Sequence, residues 1–337
     1  MQLGSRLVLA LILMVPALAV AAVPALVDSD WVKSNLGRSD LVVLDIQAPA
    51  DYQRFHVPGA VNAPYERWRT SGKREVEGML PPVARLEAMI GGLGIDDRKT
   101  VVVVSTGRGA GDLAAAARVF WTFKVLGHDQ VAVLDGGLVA YAQAKNPLES
   151  RVNRPVPATF SAKPDPDLMP TADDVKAVLG RQGEFVDARS VGEFVGLFRG
   201  DEKERRGTIP TSKNLPHDWV TRDGSARLRG AGALEALFAT QGISPGGEQV
   251  HFCHSGNRAA LTWFAAYAVL GGQVIAEEAD LYYERDRKPV GGGVEIGVGV
   301  GAGRARWRTE LRAVYTEIMS SGRNTEDTFN VSFGVVF

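Results

Sequence analysis

The sequence predicts an α/β protein made of two tandem domains, each a mostly parallel sheet flanked by helices, followed by a short antiparallel β tail. Three observations carry this prediction. Short β-branched runs alternate with helical stretches, which implies parallel strands covered on both faces. The order of elements then recurs with a period of about 145 residues, too long for a solenoid and right for a duplicated domain. A closing segment switches to strict apolar/polar alternation.

In the first copy, Leu41 to Asp45 reads as a buried strand, Ala50 to Phe55 as a short helical piece, and His56 to Asn62 as a turn reopening into an extended segment. Leu86 to Leu93 is helical and ends at Gly94. Val101 to Val104 is a second strand, Leu113 to Leu126 a helix closed by Gly127, and Val131 to Leu134 a third strand before the Asp135-Gly136-Gly137 turn. The second copy answers each of these. Glu184 to Arg189 matches Leu41 to Asp45, Gly207 to Asn214 matches His56 to Asn62, and Val250-His251-Phe252 matches Val101 to Val104. Ala259 to Leu270, closed by Gly271, matches the long helix, and Val274-Ile275 with Ala279-Asp280-Leu281 matches Val131 to Leu138. The prolines between Asn153 and Pro170 mark an extended linker, after which Thr171 caps a helix with acids in its first turn.

The net charge of −1 over 337 residues leaves no basic footprint for nucleic acid. At the start, Arg6 precedes an unbroken apolar run from Leu7 to Val15 and then small residues through Ala22, the order of an export signal. Residues 1–22 are therefore expected to be a signal peptide and the protein periplasmic. The organisation becomes 1–22 signal, 23–150 first domain, 151–290 second domain and 291–337 tail. An exported chain meets an oxidising compartment, yet this one keeps a single cysteine.

That residue, Cys253, lies in His251-Phe252-Cys253-His254-Ser255-Gly256-Asn257-Arg258, between a predicted strand and a predicted helix. Most lone cysteines are small buried hydrophobes. Here the strand–loop–helix order places the thiol at the carboxyl end of a parallel sheet and beside a helix N-terminus, where open α/β sheets put their ligands. Successive backbone N–H groups and the helix dipole favour an anion there and lower a thiol's pKa from about 8.5 to roughly 3.5–7.5. Arg258 and His254 add positive charge. A cysteine phosphatase loop spaces Cys and Arg by five residues; four separate Cys253 from Arg258, and the tighter loop suits one extra sulfur atom. The corresponding loop of the first copy runs from Val104 to Asp112 with Val104 or Ser105 in the thiol's place. Its Gly107, Gly109 and Gly111 suggest a phosphate loop, but no Lys-Ser/Thr pair follows.

With these residues in view, the chain resembles the tandem rhodanese-family sulfurtransferases over residues 28–290. Cys253-His254-Ser255-Gly256-Asn257-Arg258-Ala259-Ala260 is similar to that family's active loop, Asp187-Ala188-Arg189 with Glu193 to its D-x-R-x-x-x-E element, His56 to Asn62 to its G-H-I-P-G-A-x-N element, and Leu134 to Leu138 to its L-D-G-G strand end. The resemblance implies two tandem rhodanese-like domains, the first catalytically silent. It implies Cys253 as the nucleophile, which takes a sulfane sulfur from thiosulfate or 3-mercaptopyruvate and passes it to cyanide or a thiol. His254, Ser255, Gly256, Asn257 and Arg258 would stabilise the persulfide, with no metal or organic cofactor. Arg189 would bind an anionic donor; the competing reading pairs it with Glu193, four residues on. Departures at Thr208 to Ser212 and at Asp280 to Glu284 leave the donor open, and His217 is read as lining the pocket or as a surface-loop residue. Two rival readings are a non-catalytic binding or sulfur-relay module and a cysteine phosphatase.

In the tail, Val294 to Val300, Trp307 to Tyr315 and Phe329 to Phe337 alternate with polar residues or glycine. The pattern and the terminal Phe337 resemble closing strands of an outer-membrane barrel, although three strands cannot close one. A small sheet on the second domain, a share of an oligomeric barrel and a fused membrane-protein fragment remain open, so outer-membrane association through 291–337 is one expectation among three.

Overall fold

The computed structural model describes residues 23–71, 78–180, 183–199, 206–244, 248–271, 274–275, 308–313 and 331–336. The expected signal at 1–22, the Ala279 to Glu284 elements and the Val294 to Val300 strand lie outside them. The chain forms two compact units, Met1–Tyr283 and Glu284–Phe337.

The first unit holds two sheets. One has five strands, β1 (Leu26–Val27), β2 (Leu41–Asp45), β3 (Val61–Asn62), β4 (Thr100–Val104) and β5 (Val131–Leu134), in the order β1-β5-β4-β2-β3. Every pairing in it is parallel. The helices α1 (Ser29–Asn35), α2 (Pro49–Tyr52), α3 (Val83–Gly92), α4 (Ala110–Val125) and α5 (Gly137–Gln143) connect the strands. β4 is buried at all five positions, which explains its continuous valines: neither face meets water. β1 and α1 escape the sequence reading because β1 has two residues and no pattern of its own. It exists because β5 offers it an edge, and Asp28 then caps α1 by accepting from Trp31 N–H at 2.8 Å.

After α6 (Ala172–Gly180), the second sheet runs β7-β6-β8-β9 and is again wholly parallel, with β6 at Glu184–Asp187, β7 at Lys213–Asn214, β8 at Gln249–Phe252 and β9 at Val274–Ile275. Its helices include α7 (Val191–Phe194), α8 (Ala231–Thr240) and α9 (Asn257–Phe264). α9 begins two residues before the predicted start and passes into a π-helical turn over Ala265–Val269, ahead of Gly271 at φ +67°. Thr171 caps α6 as expected, and the cap is reciprocal: Asp174 N–H donates to the Thr171 hydroxyl and the Asp174 carboxylate accepts from Thr171.

The predicted linker is extended but not loose. Ala158, Lys163 and Asp165 donate backbone hydrogen bonds to Gly91, Leu126 and Val125, so it lies along the ends of α3 and α4. The two halves share one hydrophobic core, in which α4 packs on α9 and Phe120 meets Phe264 edge-on at 4.9 Å between ring centroids.

In the second unit, β10 (Arg308–Ala313) and β11 (Val331–Val336) pair antiparallel. The register sets Leu311 opposite Phe333 and Thr309 opposite Val335. Among the described residues no helix is long and apolar enough to cross a membrane.

Candidate active site

The duplication is repeated hydrogen bond by hydrogen bond. Asn62 Nδ2 donates to the Asp45 and Gln47 carbonyls at 3.1 and 3.0 Å, and Asn214 Nδ2 donates to those of Asp187 and Arg189 at 2.9 and 3.0 Å. Because β2 pairs Asp45 with Val104 while β6 pairs Asp187 with Phe252, the residues that follow, Ser105 and Cys253, occupy equivalent places. This register decides between Val104 and Ser105 as the thiol's counterpart in favour of Ser105.

Cys253 is 1% exposed and packs with Ala188 and Ala259. The loop after it turns at Gly256, whose φ of +74° lies in the left-handed region, and α9 starts at the next residue. The first N–H groups of α9 have no intrahelical acceptor and the dipole's positive end lies there. The loop side chains turn to other partners. Arg258 makes a two-pronged contact with Glu193, Nη1 to Oε2 at 2.8 Å and Nη2 to Oε1 at 3.0 Å. His254 Nε2 lies 2.5 Å from Glu193 Oε1. Asn257 Oδ1 accepts from the Tyr65 hydroxyl of the other half at 2.8 Å, and the Ser255 backbone abuts Gly78 so closely that a Cβ on Gly78 would lie 2.6 Å from its carbonyl oxygen. Thus His254 and Arg258 meet at one carboxylate, while Ser255, Gly256 and Asn257 face the first half.

Glu193 is the hub. It is buried, which works against its charge, but hydrogen bonds from Arg258, Ser190 and His254 hold its carboxyl far below the usual range. Burial likewise opposes the Arg258 cation, and Glu193 together with the charge of Cys253 outweighs it, raising the guanidinium above its ordinary value. Glu193 also completes a capping box with Ser190 at the start of α7.

The ion pair of Arg189 with Glu193 does not form. Arg189 precedes the Ser190 cap, so the two residues share no helical face. The Arg189 side chain, 1% exposed, instead turns back on Asp187 (Nε to Oδ1 2.9 Å, Nη2 to Oδ2 2.6 Å) and donates to the Gly207 carbonyl at 2.6 Å. Thr208, where the family pattern has histidine, donates its hydroxyl to the same Asp187 at 2.7 Å. Thr211 takes the place of Gly59 and keeps its left-handed backbone, φ +69° against +77°, a strained conformation for a β-branched residue. His217 lies near enough to Arg258, Asp218 and Glu193 to feel their charges; burial first and Arg258 second lower its pKa. Its backbone N–H donates to the Ala188 carbonyl at 3.2 Å, and Ala188 packs on Cys253, so this half-buried histidine lies beside the cysteine site.

In the first half, Gln47 stands where Arg189 does and hydrogen-bonds Asp45 in the same way, N–H to Oδ1 and Nε2 to Oδ2, both at 2.8 Å. Without a guanidinium, burial dominates and pushes the Asp45 carboxyl up to about 6, against the pull of Gln47 and His56. A raised carboxyl pKa means that the folded state binds the extra proton, so stability falls as pH rises from about 4 to 6. Asp45→Asn should therefore stabilise the protein at pH 7 by up to about 3 kcal/mol and have little effect near pH 4. Thermal melts at both pH values measure this; a lower melting temperature for the variant at pH 7 would reverse the sign.

Each loop is closed by the opposite half. Thr70 and Met79 form an antiparallel bridge that brings Gly78 to Ser255, and Thr221 and Leu228 form its counterpart, which brings Gly224 to the Ser105 loop: a Cβ on Gly109 would lie 3.2 Å from the Gly224 carbonyl oxygen, while Gly136 N–H donates to the Ala226 carbonyl and Leu228 N–H to Asp135. In the Ser105 loop the Asp112 carboxylate accepts from Arg108 N–H at 2.9 Å, an internal anion at the start of α4. Two residues of the Cys253 surroundings were not anticipated from sequence, Tyr65 and Arg118. The only signal for Arg118 was a buried cation inside the apolar α4. Among the described residues no cluster of three His, Cys, Asp or Glu side chains is placed to hold a metal ion.

The comparisons with known proteins agree with this architecture. Residues 28–144 match the rhodanese-like domain family. The putative thiosulfate sulfurtransferase 1 of Mycobacterium bovis is 28% identical over 280 residues, covering 81% of this chain and 98% of the relative. Human 3-mercaptopyruvate sulfurtransferase is 32% identical over 251 residues, 72% of this chain and 78% of the human protein. The crystal structure of SseA from Escherichia coli, described with the rhodanese fold of the 3-mercaptopyruvate sulfotransferases, superposes with a TM-score of 0.67 at 25% identity, covering 76% of this chain and 98% of SseA. With two parallel sheets of one topology and a cysteine loop at the carboxyl end of the second, the chain belongs to the rhodanese-like sulfurtransferase family.

Proposed function

We propose that Cys253 carries sulfur from a small anionic donor, thiosulfate or 3-mercaptopyruvate, to cyanide or a thiol. The observation that supports this best is the seat of Cys253 after β8 and at the positive start of α9, with Arg258 held at its rim by Glu193. The thiolate attacks the outer sulfur of thiosulfate; the sulfur–sulfur bond breaks and sulfite leaves with its electron pair. With mercaptopyruvate the carbon–sulfur bond breaks and pyruvate leaves after taking up a proton. The outer sulfur of the resulting persulfide is then attacked by cyanide, giving thiocyanate, or by a thiolate, giving a new persulfide, and Cys253 departs as thiolate. Covalent transfer splits one difficult step into two.

Incubation with each donor, followed by intact-mass measurement and cyanide-dependent thiocyanate release, tests the reading. One added sulfur atom on Cys253, removed by cyanide, is expected, and the donor giving the higher kcat/KM names the substrate. No added sulfur with either donor would overturn the assignment; turnover of an aryl phosphate instead would replace it with phosphatase chemistry.

A further inference from the structure

We propose that Arg118, on α4 of the first half, is a positioning residue for Cys253: its guanidinium braces the Gly256 turn and supplies a positive charge behind the sulfur. The inference rests on the sulfur-transfer reading for its purpose, but not for its test.

Arg118 is 5% exposed on a helix whose neighbouring positions are apolar. Its charged end has neutral partners: Nη2 donates to the Gly78 carbonyl at 3.2 Å, and the guanidinium carbon lies 4.1 Å from the Trp121 ring centroid. No carboxylate pairs with it among the described residues. Burying a cation without an anion is costly, so a fold that retains one has an anion nearby or loses stability for nothing.

The group it touches is the cysteine loop. A Cβ built on Gly256 would lie 2.1 Å from Arg118 Nη1, so the glycine answers two demands, the left-handed backbone and the approach of the guanidinium. The Tyr65 hydroxyl, bonded to Asn257 of the same loop, feels the charges of Arg118, Arg69 and Cys253, in that order. Other cations of the described residues near the loop have carboxylates of their own. Arg258 and His254 share Glu193, and Arg189 is taken by Asp187. Arg69, 5.6 Å from the Tyr65 ring centroid, lies 3.6 Å from the Glu66 carboxylate. Among the described residues Arg118 is thus a buried cation at this loop with neutral partners, and it comes from the half that has no cysteine.

Cys253 is the chain's only cysteine, so alkylation by iodoacetamide across a pH series reports its ionisation alone. Arg118→Met should raise the midpoint of that profile by about one pH unit, as expected for loss of a nearby opposite charge. Arg118→Gln, which keeps a donor for Gly78 without the charge, should shift it equally, and Arg118→Lys should restore most of the wild-type midpoint. Unshifted midpoints in folded Met and Gln variants would overturn the proposal, as would loss of fold in all three, which would make Arg118 an interface residue only. Failure of the wild-type chain to gain sulfur from either donor would sink the sulfur-transfer reading and leave this comparison standing.

Discussion

Cys253→Ser keeps the fold and lowers sulfur transfer by at least about a thousandfold, the scale of removing a nucleophile. A serine hydroxyl is not ionised near neutral pH and cannot carry a sulfur that a second nucleophile then removes. The stability cost is bounded by the site: the side chain is 1% exposed against Ala188 and Ala259, and placing a hydroxyl there costs about 1–2 kcal/mol. That is a fraction of an ordinary domain's stability. Thiocyanate formation and a thermal melt measure the two quantities separately. Persisting transfer in a folded variant would place the chemistry elsewhere.

Glu193→Gln is expected to lower both stability and activity. The carboxylate, 5% exposed, accepts from Arg258, His254 and Ser190, and its neutral replacement leaves a partly buried guanidinium without its anion. Breaking such a pair costs about 3 kcal/mol, less the share that water recovers at Arg258. For a chain of this size that corresponds to a melting temperature lower by roughly 3–4 °C. The pH dependence carries a sign. The folded-state carboxyl is depressed, so its contribution is complete above the ordinary glutamate range, near pH 4.5, and is lost as pH falls below it. The gap between wild type and variant should therefore be widest at pH 7 and close on acidification. A gap that stays constant from pH 7 to pH 3 would show that shape, not charge, holds the cluster.

These two sites mark where sequence reasoning succeeds and where it stops. Cys253 was legible because a single thiol between a strand and a helix is local information, and a second copy of the pattern was available for comparison. For Glu193 the sequence offers its place in the D-x-R-x-x-x-E element and its four-residue spacing from Arg189, and the spacing points to a partner it does not meet. Four-residue spacing pairs side chains only inside a helix, and Ser190 starts α7 after Arg189; the Ser190-x-x-Glu193 capping box was the better local signal. Its true partner, Arg258, lies 65 positions away and is set by the β6–β8 register.

The sequence by itself determined the order of strands and helices, the duplication, the capped start of α6 and the place of the thiol, because period, glycine and cap signals act over a few residues. Only the tertiary structure decided that Ser105 stands in the cysteine's place, that each loop is closed by the other half, and that Tyr65 and Arg118 reach the Cys253 loop across a shared core. The physical reason is that hydrophobic periodicity reports which face of an element is buried, whereas the partner on that face is chosen by packing between segments far apart in the chain.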